Sequence, residues 1–169
     1  MTDFISQPLP WQHAQWQRVS QQIEGERLPH ALLLAGPQSV GKRTFARALT
    51  ALLLCRAPQY GAACGACKSC LLLAAQAHPD GHWLAPEEAG KAIKIDQVRA
   101  LEDFVNIGSH RSGARIVLIH PAEAMNLAAA NSLLKMLEEP PANVYFILVS
   151  SNTRRLLPTL LSRCRKVVF

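Results

Sequence analysis

The stretch Gly36-Pro37-Gln38-Ser39-Val40-Gly41-Lys42-Arg43-Thr44 decides the fold of this chain. It has the glycine and lysine spacing of a phosphate-binding loop, and it lies between an apolar run, 30–35, and a segment with apolar residues at helical spacing. Glycines let backbone N–H groups face a phosphate, and the following helix adds the positive end of its dipole. We therefore predict phosphate contacts from five residues: Gly36, Gly41, Lys42, Arg43 and Thr44.

The loop departs from a working nucleotide site at the position that holds magnesium. A serine or threonine hydroxyl normally follows the lysine and binds Mg²⁺, but Arg43 stands there. Thr44 cannot replace that hydroxyl, because one step along a helix turns the side chain by about 100°. We predict that the Mg²⁺ site is degraded and that ATP or ADP binding is weak or absent.

The second apolar strand also lacks the acidic pair that organises magnesium and the attacking water in hydrolysing enzymes. Residues 115–119 are followed by His120 and Pro121 instead of Asp and Glu. Glu123 lies slightly further along, and we expect it to be a solvated carboxylate. The sequence therefore predicts no ATP hydrolysis by this chain, with recruitment of Glu123 as the alternative.

Four cysteines form a second pattern, C-x8-C-x2-C-x2-C, made by Cys55, Cys64, Cys67 and Cys70. Overlapping turns bring three thiolates together, and Cys55 can supply the fourth from the end of the predicted helix. Four thiolates suit tetrahedral Zn²⁺ and leave no position for water, so we predict a structural zinc site in an insert at about 55–70. An iron–sulfur cluster and free thiols are the alternatives.

Three other histidine and cysteine residues are not expected to bind that metal. His78 and His82 follow the insert, but four sulfurs already fill a tetrahedral shell. Cys164 stands apart, just before a predicted edge strand, and we expect it to be a small core residue.

The rest of the chain alternates between short apolar runs and helical periodicity, which indicates βαβ units and a three-layer α/β domain. The run 144–149 is continuous and rich in β-formers, as expected of a central strand buried on both faces. The other predicted strands are 30–35, 82–84, 116–119 and 166–169.

Several helix and loop boundaries follow from local signals. We predict Asp96 as the N-cap of one helix. A basic loop is predicted between Gly108 and Gly113. A later helix is expected to end before Pro140 and to have one apolar face formed by Leu127, Ala130, Leu134 and Leu137.

Composition sets broad limits on function. The 169 residues suit one domain, and the net charge of +6 with a pI near 9.4 permits an acidic partner such as nucleic acid. The N-terminal residues have neither a basic nor an apolar signal region, so the cytoplasm is the default location.

The chain as a whole resembles the clamp-loader branch of the AAA+ ATPases, over about 10–169. Five stretches carry the resemblance: 29–37, the four-cysteine insert, His78-Pro79-Asp80, 131–141 (Asn-Ser-Leu-Leu-Lys-Met-Leu-Glu-Glu-Pro-Pro) and 160–164 (Leu-Leu-Ser-Arg-Cys). The resemblance implies a RecA-like domain over 1–169 with a five-stranded parallel sheet. Members of the family continue into a lid and a collar, which are expected to lie outside this chain.

Within that branch, the altered phosphate loop resembles a non-hydrolysing stator more than the motor subunits of γ/τ type. The resemblance implies that Arg163 is an arginine finger, catalytic in trans at the ATP of a neighbouring subunit. It also implies γ/τ and δ subunits as partners, with the sliding clamp and primed DNA reached through the assembled complex. An active ATPase subunit and a zinc-dependent DNA-binding module are the alternatives.

Overall fold

A computed structural model describes residues 6–107 and 113–169 of this chain. The basic loop expected between Gly108 and Gly113 lies outside the described residues, apart from Gly113 itself. The helices are α1 (His13–Glu24), α2 (Lys42–Leu54), α3 (Lys68–Ala74), α4 (Ile95–Asn106), α5 (Leu127–Glu138) and α6 (Pro158–Arg163). The strands are β1 (Ala31–Ala35), β2 (Gly81–Leu84), β3 (Arg115–Ile119), β4 (Val144–Ser150) and β5 (Arg165–Val168).

All five strands are parallel and lie in the order β2-β3-β4-β1-β5. The run predicted to be a central strand is the middle one, and its register places Leu148 beside Leu33 of β1 and Ile119 of β3. The prediction of a five-stranded parallel α/β domain is confirmed. The carboxyl ends of β1, β3 and β4 meet at one edge of the sheet, where the candidate nucleotide residues follow them.

Alternating side chains divide the strands between two helical layers, because successive residues of a strand point to opposite faces. On one face, Leu32 and Leu34 of β1 join the core formed with α1, α2 and α3. On the other face, Leu33 and its neighbours join the core formed with α4, α5 and α6. The four-cysteine insert belongs to the first layer, and Cys164 packs against the second.

Two local predictions are wrong. The N-cap of α4 is Lys94 rather than Asp96, and Asp96 lies in the first turn, where its charge suits the helix dipole. Leu127 is 65% exposed at the start of α5, because the buried face of that helix is formed by Ala129, Ala130, Leu133, Met136 and Leu137. Within the described residues, no helix is long and apolar enough to cross a membrane.

Candidate functional site

The phosphate loop connects β1 to α2, as its sequence context predicts. Gly41 is the N-cap of α2 and has a φ of +86°, a left-handed conformation that favours glycine. The side chain of Lys42 is buried, with its residue only 4% exposed. Its Nζ donates to the carbonyl oxygen of Gly36 at 2.8 Å and to that of Pro37. The ammonium that would meet a phosphate is therefore bonded to the loop's own backbone.

The N-terminal turn at 9–12 covers the outside of the loop, which the sequence analysis did not anticipate. Trp11 Nε1 and Gln12 Nε2 both donate to the Val40 carbonyl oxygen, at 3.2 and 3.0 Å. A Cβ added to Gly41 would overlap the Leu9 side chain and lie 2.9 Å from Gln12 Nε2. The missing side chain of Gly41 thus makes room for the chain's own N-terminal segment. No local sequence signal pairs residues so far apart.

A cleft of about 1240 Å³ lies beside this loop, and its lining includes Arg43, Arg47 and Arg155 together with Lys42. Burial lowers the pKa of Lys42, and Glu123 partly offsets that effect. Burial and the neighbouring charge of Arg43 also lower the pKa of Arg47. Several cations therefore line the cleft beside the phosphate loop.

His120 directly follows β3, where the acidic pair of a hydrolysing enzyme would begin, and it lines the same cleft. Burial lowers its pKa, and the charges of Arg43 and Lys42 lower it further, against an opposing effect of Glu123. A neutral imidazole is consequently favoured at neutral pH. A neutral ring followed by proline supplies no carboxylate for magnesium.

Glu123 is not the solvated carboxylate that we expected, so that prediction is wrong. Its Oε1 accepts a hydrogen bond from the Ser151 backbone N–H at 2.9 Å, and its Oε2 is buried. The structure uses this carboxylate to bind the backbone just beyond β4. One oxygen is therefore committed to structure, although the side chain does lie near Lys42 and His120.

The four cysteines of the insert converge as predicted. Cys55 is the C-cap of α2, Cys67 is the N-cap of α3, and the four sulfur atoms all lie within 4.8 Å of one another. Three of the sulfur–sulfur distances are 3.9, 3.9 and 3.5 Å. Tetrahedral coordination at about 2.3 Å separates neighbouring sulfurs by roughly 3.8 Å. The cluster could therefore hold a metal ion, and neither His78 nor His82 belongs to it.

Hydrogen bonds prepare part of this cluster for metal binding. Burial acts to raise the pKa of Cys67, but hydrogen bonds from the backbone of Arg56 and Cys70 outweigh it and hold the pKa at about 6. Backbone hydrogen bonds also lower the pKa of Cys64. Burial raises the pKa values of Cys55 and Cys70. The thiols of Cys64 and Cys67 are thus more acidic than usual, and a bound cation would have to stabilise the other two as thiolates.

The Ser162-Arg163-Cys164 segment forms a separate corner of the molecule. Ser162 Oγ donates to the Thr159 carbonyl oxygen at 3.0 Å, inside α6. Cys164 points into the core, as expected, and burial raises its pKa to about 11. Arg163 points outward between them, with 35% of its side chain exposed.

Arg163 also has an ionic partner that the sequence analysis did not assign. Its Nη2 lies 2.7 Å from Glu138 Oε1, across the contact between α6 and the end of α5. Two of the stretches that carry the family resemblance, 131–141 and 160–164, therefore meet at this ion pair. Arg163 does not belong to the described lining of the cleft at Lys42.

Sequence comparison places these features in a known family. A profile described as "DNA polymerase III, delta subunit" matches residues 11–169. The DNA polymerase III subunit delta' of Pseudomonas aeruginosa is 49% identical over 92% of this chain and 46% of the relative. The Escherichia coli K12 protein of the same name is 38% identical over 92% of this chain and 47% of the relative. The chain thus spans about half the length of these curated relatives.

A solved structure supports the same placement. The gamma subunit-related protein of Thermotoga maritima matches with a TM-score of 0.63 and 26% identity, over 92% of this chain and 45% of that one. The Holliday junction branch migration motor RuvB of the same organism matches at 19% identity with a TM-score of 0.51, over 92% of this chain and 42% of that one. That second likeness extends the shared fold to another AAA+ protein.

Proposed function

The chain belongs to the δ′ branch of the DNA polymerase III delta-subunit family, and from this premise we propose that it is part of a non-hydrolysing clamp-loader subunit. In this proposal, the subunit helps to place the sliding clamp on primed DNA during replication. It acts as a stator and supplies Arg163 to the ATP site of a neighbouring subunit. The observation that carries the proposal is the presence of Arg43 and His120 where a magnesium site needs a hydroxyl and a carboxylate, in a chain that holds Arg163 at its surface.

The altered phosphate loop explains why this chain would not hydrolyse ATP itself. Arg43 takes the place of the magnesium-binding hydroxyl, and His120 takes the place of the first carboxylate. Without Mg²⁺ and a positioned water, the charge that develops on a transferring phosphoryl group is not stabilised. Nucleotide binding at Gly36, Gly41, Lys42, Arg43 and Thr44 is accordingly weak or absent.

Arg163 has the chemistry required of a residue that acts in trans. Guanidinium is planar, remains charged at physiological pH and can bond two phosphate oxygens at once. Its exposure at the end of α6 leaves it accessible to a second subunit, while Cys164 fixes the adjacent backbone in the core. The partner supplying the nucleotide would be a γ/τ-type ATPase subunit; a δ subunit completes the complex, which works in the cytoplasm.

The cysteine cluster is assigned to structural Zn²⁺. Four sulfur ligands at separations close to a tetrahedron favour zinc and leave no open position for a reacting water. Through Cys55 and Cys67 a bound ion would join the end of α2 to the start of α3. Its role would be to hold the insert on the first helical layer.

An active ATPase is the second candidate, because Glu123 lies close enough to Lys42 to influence its pKa. The bond from Ser151 to Glu123 argues against it, since one carboxylate oxygen is already committed to the backbone. Arg43 also leaves the magnesium hydroxyl unreplaced.

The proposal is tested with the full-length subunit in a reconstituted clamp loader in which only the ATP site facing it can turn over. Arg163→Ala should lower DNA-stimulated turnover at that site by about 10³-fold, the lower range for a lost arginine finger. Assembly should be unchanged. Arg165→Ala is the control, because Arg165 is exposed two residues further on. Unchanged turnover with Arg163→Ala would overturn the assignment.

A further inference from the structure

The guanidinium of Arg163 is held at two of its nitrogens. Nη2 lies 2.7 Å from Glu138 Oε1, and Nη1 donates to the Thr159 carbonyl oxygen at 3.1 Å. Nη1 also lies 3.5 Å from Ser162 Oγ. Since guanidinium has five N–H donors, the N–H of Nε and at least one N–H of Nη2 remain for another acceptor. The side chain is thus held in one orientation and still has N–H donors for another acceptor.

The position of Glu138 is determined by the end of α5. Pro140 disfavours helical backbone at the residue before it, and Glu139 is accordingly a non-helical C-cap with φ −128° and ψ 68°. His30 Nε2 lies 3.2 Å from the carbonyl oxygen of Leu137, which ties this helix end to the start of β1. The carboxylate of Glu138 therefore projects from a backbone anchored on both sides.

Stability does not account for a carboxylate at this place. Both side chains of the pair are substantially exposed, 35% for Arg163 and 49% for Glu138, and exposed ion pairs contribute little because water screens them. A negative charge on the last residue of a helix also opposes the helix dipole. The pair is better explained by the orientation that it imposes on Arg163.

We infer that Glu138 is a positioning residue that orients Arg163 for the nucleotide of the neighbouring subunit. The inference rests on the proposed function of Arg163 in trans. An unrestrained arginine loses rotamer freedom when it engages a phosphate, and misplacement of a catalytic group reduces the rate. Glu138 and Thr159 limit that freedom in advance. Glu138 thereby raises the rate of the chemical step without contacting ATP.

The test is a double-mutant cycle in the reconstituted loader with the full-length subunit, read only at the ATP site that faces it. Glu138→Gln keeps the shape of the side chain and removes its charge. We expect kcat to fall by about two- to five-fold, the range set by an exposed ion pair, with unchanged KM for ATP, assembly and Tm. Glu139→Gln, at the next and equally exposed position, should match the native subunit.

The cycle separates this inference from the proposed function. In an Arg163→Ala subunit, Glu138→Gln should cause no further loss, because the group that it positions is gone. If Arg163→Ala impairs turnover but Glu138→Gln alone leaves kcat unchanged or raises it, only the positioning inference is overturned. A further loss in the Arg163→Ala background would overturn it as well. If Arg163→Ala itself has no effect, the proposed function fails first.

Discussion

The two helical layers of this domain differ in how they hold their candidate nucleotide-contacting residues. In the layer of α1, α2 and α3, the phosphate loop is turned inward: Lys42 is bonded to the loop's own carbonyls, and Gly41 is covered by the N-terminal turn. In the layer of α4, α5 and α6, Arg163 stands at the surface, oriented by Glu138. The residues that would contact the chain's own nucleotide are enclosed by its own backbone and N-terminal turn, whereas Arg163 lies at the surface, where a second subunit can reach it.

Under the proposed function, this difference lets one fold give up its own hydrolysis and keep a role in the same reaction. Hydrolysis needs a metal, a water and a phosphate cradle in one place, and the proposal is that Arg43 and His120 remove the first of these. A finger supplied in trans needs only a cation at a defined point on the surface. In this proposal, the second layer keeps its function while the first is structural.

Metal removal is the largest perturbation, and its local effect should be greatest in the first layer. Removal of the metal leaves the cysteine thiols without a bound ion. The free energy of unfolding should fall by about 4 kcal/mol, because a bound structural metal contributes directly to folding. Cys70→Ser should have a similar effect, since Cys70 is fully buried within the cluster. Chemical denaturation and native-state hydrogen exchange would measure this loss.

Cys164→Ser is the matched control for that measurement, because its thiol packs against the second layer and belongs to no metal cluster in the described residues. This variant should lose as much stability to a chelator as the native protein does, because its four-cysteine cluster is intact. A larger loss of protection in α5 and α6 than in α2 and α3 after chelation would contradict the separation of the two layers.

Adding a side chain at Gly41 should have the next largest effect. Gly41→Ala should lower the free energy of unfolding by about 2–3 kcal/mol, because the added methyl group meets Leu9 and Gln12 as well as the left-handed backbone. Gly90→Ala separates the two causes: Gly90 has a φ of +80° and nothing within 4 Å of the added Cβ. Its cost should be about 1 kcal/mol. Equal losses for both variants would show that the N-terminal turn does not cover the loop.

Replacing the finger by a different cation should have a smaller effect than removing it. Arg163→Lys should reduce turnover at the facing site by about ten- to thirty-fold, because an ammonium keeps the charge but cannot bond two phosphate oxygens in a plane. Single-turnover hydrolysis in the reconstituted loader would measure it, with Arg165→Lys as control. Native turnover with Arg163→Lys would mean that charge alone is required.

Local patterns made most of the fold predictable. The continuous apolar run at 144–149 identified the central strand because only a strand buried on both faces tolerates such a run. The cysteine spacing placed four sulfurs together because overlapping turns and a helix end constrain them locally. Asp96 and Leu127 were misassigned because capping and exposure at a helix terminus depend on tertiary packing that periodicity does not register.

The contacts that distinguish the candidate sites could not be read from the sequence for the same reason. The turn at 9–12 meets Val40 from about 28 residues away along the chain, and Glu138 meets Arg163 at a separation of 25. Glu123 was expected to be solvated because the sequence does not show that it meets the backbone of Ser151, which follows β4. Each contact arises from tertiary folding, which brings segments that are distant in sequence together at one end or the other of the parallel strands.

The most direct test of the central claim is equilibrium titration of a fluorescent ATP analogue into the full-length subunit, with and without Mg²⁺, alongside Lys42→Ala. The account predicts no saturable, magnesium-dependent binding and the same titration curve for the variant, because Lys42 is bonded to Gly36 and Pro37 and no hydroxyl follows it. Micromolar binding that requires Mg²⁺ and is lost in Lys42→Ala would contradict it, and would favour the alternative of an active ATPase subunit.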